Sequence, residues 1–185
     1  MHFKKIVGKK VYLSPRSVDD AEKYTLWLNN YDIAKYINHN VSIITIESEK
    51  EYLAKDISDG FNFAIVDLET DELIGSIGLM HVNCIDGTAE LGIFIGDENH
   101  LSRGYGSEAI ILLLDFGFNQ VNLNNIMLKV FSFNKRALRA YEKCGFKTFG
   151  VWEKSHYIDG EYHDIIYMNI FKEDFNNDNK KKLCK

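Results

Sequence analysis

The chain has 185 residues, of which 45% are apolar, 13% aromatic and 26% charged, with a net charge of −5. That length suits one domain able to bury roughly 70% of its unfolded surface, and the apolar content excludes a wholly disordered chain. No apolar run reaches the ~18 residues of a spanning helix, the basic start Met1–Gly8 lacks a secretory signal's apolar stretch, and the mildly acidic balance argues against a broad phosphate-binding face. The expectation is a cytoplasmic protein that engages neither nucleic acid nor membrane.

Lys10–Ser14 alternates as a strand does, and Ser17 followed by Asp20 resembles a capping box that opens a helix through Asn30. A second helix is expected over Glu47–Asp59, stopped by Gly60. Phe61–Asp67 and Leu73–Val82 flank the turn Glu69–Glu72 and read as a hairpin, and Asp86-Gly87 leads into a further strand, Thr88–Ile95. Gly104–Phe118 reads as a helix so apolar at Ala109–Phe116 that it must be buried. Ile126–Phe131 is a strand, Asn134–Cys144 a helix closed by Gly145, and Lys147–Ser155 a strand. Tyr157–Ile170 passes through the turn Asp159-Gly160 into the last strand. This order gives an α/β chain with a mixed, mostly antiparallel sheet of about seven strands and about four helices. Residues 1–175 read as one domain and 176–185 as a polar, disordered tail. Cys84, Cys144 and Cys184 are odd in number, show no C-x-x-C, and fit reduced thiols in an intracellular compartment.

The informative segment is Ile93-Phe94-Ile95, a loop, and then Leu101-Ser102-Arg103-Gly104-Tyr105-Gly106-Ser107 at the head of the buried helix. Glycines there let backbone N–H groups approach a ligand, and the helix start carries about +0.5 of a charge, which favours a phosphate or diphosphate. A tight turn with a cap would also account for an isolated Gly-x-Gly. The P-loop pattern G-x-x-x-x-G-K-[ST] is absent. Gly104–Ala109 fits the relaxed dinucleotide fingerprint G-x-G-x-x-A, but no Asp or Glu stands between Asn119 and Tyr141 to hold a ribose.

The same turn resembles the acetyl-CoA loop of the GNAT acetyltransferases, [QR]-x-x-G-x-[GA], with Gly104 and Gly106 at the small positions. Leu101 stands where the family usually has Gln or Arg, which implies weaker anchoring, for which Arg103 would compensate. A second block about 30 residues on, Asn134–Phe146, resembles the family's N-x-x-A-x-x-x-Y-x-K-x-G-F. A capped amphipathic helix alone would explain its spacing but not the particular aromatic. The opening Gly8–Arg16 and the ending Trp152–Asp164 are similar to the RimJ/RimL branch and the spermidine acetyltransferases close to it. The resemblance implies a GNAT fold, acetyl-CoA as cosubstrate without a metal, and Ser102–Ser107 around the diphosphate. It also implies that the strand holding Ile93, Phe94 and Ile95 splays from the one at Ile126–Phe131, freeing amides for the pantetheine, which Asn134 would also bond.

Acetyl transfer to an amine needs the ammonium to lose a proton, donors for the oxyanion, and a proton for the departing thiolate. Tyr141 is the candidate acid, since a phenol of pKa about 10 is protonated at neutral pH; the family's Tyr at this position has that role. Glu90, in Ala89-Glu90-Leu91-Gly92, is the candidate base, directly or through a water, or else positions the acceptor. An outward, solvated glutamate is the plainer reading of the same strand. His156 and His163 should face each other across the last hairpin with Asp164 opposite Ser155, too few ligands for a metal and equally suited to an acceptor wall. The expected activity is acetylation of a primary amine, a protein N-terminus or a small polyamine-like molecule, by direct attack in a ternary complex. A non-catalytic acyl-CoA-binding regulatory module is the rival, and the oligomeric state stays open between monomer and homodimer.

Overall fold

The computed structural model describes residues 1–39, 41–55 and 60–176. Its strands are β1 (Ile6–Val7), β2 (Val11–Pro15), β3 (Gly60–Asp67), β4 (Leu73–Asn83), β5 (Thr88–Ile95), β6 (Asn125–Phe131), β7 (Lys147–Ile158) and β8 (Glu161–Phe171). Its helices are α1 (Ala21–Leu28), α2 (Tyr31–Ala34), α3 (Ile46–Lys55), α4 (Tyr105–Asp115) and α5 (Lys135–Lys143), and residues 172–176 are helical as well. The eight strands are hydrogen-bonded in the order β1-β2-β3-β4-β5-β6-β8-β7, in a mixed sheet. Three elements go beyond the sequence reading: β1 is only two residues long, α2 is a single turn whose Asn30 side chain accepts from the Asp32 amide, and residues 172–176 make a short helical turn. Elements that short leave no periodicity to read. The end of the expected Glu47–Asp59 helix (56–59), and the expected tail apart from Asn176, lie outside the described residues.

The chain forms two compact units. The first comprises Met1–Gly78 with Ile93–Leu112, the second Leu79–Gly92 with Leu113–Lys185. In the first, β2 pairs antiparallel with β3 from Val11–Asp67 to Pro15–Phe63. Ser17 caps a short 3-10 turn by accepting from the Asp19 amide, and that turn runs into α1. Helix α1 presents Ala21, Tyr24 and Trp27 to a core completed by Tyr12, Ile33, Leu53, Ala64, Val66 and Leu73. Tyr24, Trp27 and Phe94 meet edge to face, with centroids 5.8–6.1 Å apart. Such contacts add to area burial and fix where β5 ends.

In the second unit β5 pairs in parallel with β6 over Thr88–Asn125, Ala89–Ile126 and Glu90–Met127. Strand β6 pairs antiparallel with β8 along its whole length, Asn125–Phe171 to Phe131–Ile165. The expected long apolar helix ends earlier as an α-helix: after Asp115 a π-helical turn, Phe116–Gln120, buries Phe116, Gly117 and Phe118 in succession. Ala109, Ile110, Leu113 and Leu114 are buried as expected, whereas Ile111 and Leu112 are half-buried. Asn134 caps α5 by accepting from the Ala137 amide at 3.1 Å, and Gly145 follows the helix with φ 100°. Strands β7 and β8 form one hairpin through Asp159-Gly160, both at positive φ, with β7 continuous through Ser155 and bulged between Trp152 and His156.

Candidate functional site

Within the first unit, β5 delivers Ile93, Phe94 and Ile95 to Gly96, and a 3-10 turn, Glu98–His100, leads to the glycine turn. The Leu101 amide is spent inside that turn, on Glu98 O. Ser102 (φ 58°) and Gly104 (φ 90°) both take the left-handed region, which wraps the backbone around the start of α4. A Cβ at Gly104 would meet only Lys10 Nζ, at 3.8 Å, so the glycine answers a backbone conformation rather than crowding. A Cβ at Gly106 would make ordinary contacts with Ile95 and Ile93, at 3.6 and 3.9 Å. Neither glycine is blocked by packed side chains, so the turn fits a bulky anion lying against its backbone.

Side chains brace this turn from outside. Glu108 Oε1 accepts from the Lys9 and Lys10 amides, the latter at 2.8 Å, which ties the loop before β2 to the first turn of α4. Lys10 Nζ donates to Arg103 O at 2.9 Å, and Arg103 Nη1 donates to Asn99 O at 3.1 Å. Lys10 and Arg103 each stand over the Tyr105 ring, 5.6 and 5.8 Å from its centroid. The ring meets His100 edge to face at 4.8 Å, and the Tyr105 hydroxyl hydrogen-bonds Asp67. These cations and the helix start bring positive charge to the turn, set against the carboxylates of Glu108 and Asp67. Asp67 and His100, which no motif singles out, belong to the same cluster; nothing in their sequence spacing of 33 positions announces it.

The remaining candidates, Glu90, Asn134 and Tyr141, belong to the second unit. Glu90 is half-buried, its side chain 18% exposed, and Lys129 Nζ donates to its Oε2 at 3.0 Å. It is neither the deeply buried carboxylate nor the solvated one that the sequence allows, but one arm of a cross-strand ion pair. The signal for Lys129 in the sequence is slight, a cation set in the apolar strand β6. Among the described residues the β5–β6 ladder stops at Glu90, while β6 goes on to Phe131 with β8.

Tyr141 is 8% exposed and meets Phe146 edge to face at 6.0 Å. Burial, with a smaller contribution from Cys144, pushes its phenol up to about 12. A phenol so placed keeps its proton at any physiological pH. His156 and His163 are register partners, as expected, and Phe131 stacks on His156 at 4.0 Å. Asp164 does not stand opposite Ser155. The β7 bulge shifts the register, and Asp164 instead accepts from the Lys154 amide at 2.8 Å, while its own amide donates to the Ser132 hydroxyl at 3.1 Å. Among the described residues no group of three or more His, Cys, Asp and Glu side chains is placed to hold a metal ion. No helix among them is long and apolar enough to cross a membrane.

Residues 10–147 match the model of the acetyltransferase (GNAT) domain family. A spermidine N(1)-acetyltransferase of Vibrio cholerae is 30% identical over 152 residues, covering 76% of this chain and 87% of that protein. A probable N-acetyltransferase of Bacillus subtilis is 30% identical over 180 residues, covering 90% and 97%. The crystal structure of Vibrio cholerae spermidine N-acetyltransferase in complex with CoA and spermine superposes with a TM-score of 0.84 at 27% identity, over 92% of this chain and 100% of that one. The chain belongs to the GNAT acetyltransferase family and is an acetyl-CoA-dependent N-acetyltransferase.

Proposed function

We propose that this chain acetylates a small, cationic, polyamine-type amine by direct attack in a ternary complex, as a cytoplasmic enzyme of the RimJ/RimL-like branch. One observation carries the choice of acceptor: the likeness extends over nearly the whole chain to a spermidine acetyltransferase whose structure holds CoA and spermine. The net charge of −5 agrees with a cationic acceptor, and Cys84 and Cys144, neither of them in a disulfide, agree with a reducing compartment. Residues 1–175 act as one domain in this reading, supported by the family match across 10–147.

Acetyl-CoA supplies the acetyl thioester. The backbone of Ser102–Ser107 takes its diphosphate, with Leu101 contributing packing because its amide is already bonded, and Arg103 lending charge. Ile93, Phe94 and Ile95 offer backbone groups to the pantetheine, as does the Asn134 amide nitrogen, since its oxygen caps α5. Tyr141 holds the proton that the departing thiolate needs. Glu90 takes the proton of the acceptor's ammonium, directly or through a water, or else orients that ammonium, exchanging Lys129 for it.

Free thiol released from acetyl-CoA, followed across a panel of spermidine, spermine, aminoglycosides and Ala- or Ser-initiated peptides, tests this. Turnover with the polyamines is expected. Release with peptides alone would replace the acceptor by a protein N-terminus, and coenzyme binding without release on any amine would favour a regulatory module.

A further inference from the structure

Asp67 ends β3, far along the chain from the glycine turn, yet its side chain is only 4% exposed and both of its oxygens are engaged. Oδ1 accepts from the Glu69 and Thr70 amides at 2.8 and 3.0 Å, which shapes the β3–β4 turn. Oδ2 lies 3.3 Å from His100 Nε2, and the carboxylate also receives the Tyr105 hydroxyl. His100 Nδ1 is 3.1 Å from Asp97 Oδ2, at ion-pair distance without hydrogen-bond alignment. Tyr105 is the residue between the two glycines, and His100 immediately precedes Leu101. One buried carboxylate therefore holds the turn within its glycine pair and just before its start.

We propose that Asp67 is a positioning residue for acetyl-CoA: it fixes Tyr105 and His100, and so sets the path of the amides from Ser102 to Ser107 without touching the coenzyme. This rests on the reading of that turn as the diphosphate site. The physical reason is preorganisation. A turn with two residues at positive φ has other conformations open to it, and each one excluded before binding removes an ordering cost from the coenzyme's affinity. The Tyr105 ring, held by its hydroxyl at one end and flanked by Lys10 and Arg103, also keeps those two cations beside the start of α4. The division of labour between the carboxylate oxygens makes the role separable from folding: Asp67→Asn leaves one oxygen for the hairpin amides, puts an NH2 group where Oδ2 faces His100, and removes the negative charge that receives the Tyr105 hydroxyl.

The test measures acetyl-CoA Kd by calorimetry, and KM and kcat on the amine panel, for the full chain, Asp67→Asn, Tyr105→Phe and the double variant. Each single change is expected to weaken coenzyme binding about 5-fold, the scale of one buried hydrogen bond. The double variant should be no weaker than the worse single one, because both remove the same link. Saturating coenzyme should restore kcat to within about twofold, and a ligand-free melt that leaves each variant fully folded at the assay temperature separates this from a lowered folded fraction, which the coenzyme itself would also rescue. Unchanged Kd in both single variants, or losses that multiply in the double variant, would overturn the proposal. A wild-type chain that fails to bind acetyl-CoA would instead sink the coenzyme reading itself.

Discussion

At the scale of single residues, Tyr141 carries the sharpest expectation. Burial lifts its phenol to about 12, so the proton is retained where a solvated tyrosine would have begun to lose it. Tyr141→Phe should lower kcat roughly 10-fold or more while leaving acetyl-CoA affinity nearly intact, the ordinary scale for removing a general acid. Because the shift is upward, the wild-type kcat profile should show no downward limb from this group below pH 10. A limb at pH 8 that vanishes in Tyr141→Phe would keep Tyr141 as the acid and contradict the upward shift. Glu90 differs in kind, since Lys129 already answers its charge. Glu90→Gln should raise the amine KM more than it lowers kcat if the carboxylate orients an ammonium. A kcat loss that shrinks as pH rises would mark it as the base instead.

At the scale of elements, the last hairpin couples stability to pH. Burial, then the neighbouring His163, hold the His156 imidazole below its usual range, and its Nε2 is buried with no partner in the described structure. A group depressed in the folded state contributes stability that is present above its unfolded value, near 6.5, and is lost as pH falls through the folded one. Amide protection factors along β7 and β8, with the intrinsic pH dependence of exchange taken out, should therefore fall between pH 7 and 5, and His156→Phe, which keeps a ring against Phe131, should flatten that dependence. Equal acid sensitivity in wild type and variant would discard the mechanism. Much of this level was legible in advance. Thr88–Ile95 alternates and is bracketed by turn residues, so β5 could be bounded from sequence, and Asn134 announces α5 because a capping side chain is a local device. The β7 bulge was not legible: alternation fixes faces only while the partner register holds, and the extra residues before His156 break it. The Lys129–Glu90 and Tyr105–Asp67 contacts were hidden for a related reason, being 39 and 38 positions apart with no local pattern to join them.

For the whole molecule, coenzyme binding and stability are linked, because a ligand that binds only the folded chain raises its stability by mass action. At a concentration 100 times Kd the gain is about 2.7 kcal/mol. For a chain of this size that corresponds to a rise in Tm of roughly 5–10 °C. Gly104 tells which part of the chain delivers the gain. Its φ of 90° lies in the region glycine favours, while the space around its α-carbon is open save for Lys10 Nζ at 3.8 Å. Gly104→Val should thus lower Tm without ligand only modestly, through backbone strain of about 1–2 kcal/mol. It should also abolish most of the acetyl-CoA increment, since the branched side chain would reshape the turn whose amides meet the diphosphate. Differential scanning calorimetry with and without acetyl-CoA separates the two effects. An increment that survives Gly104→Val in full would mean that the coenzyme's diphosphate is held elsewhere, and the roles given to Arg103, Tyr105 and Asp67 would fall with it.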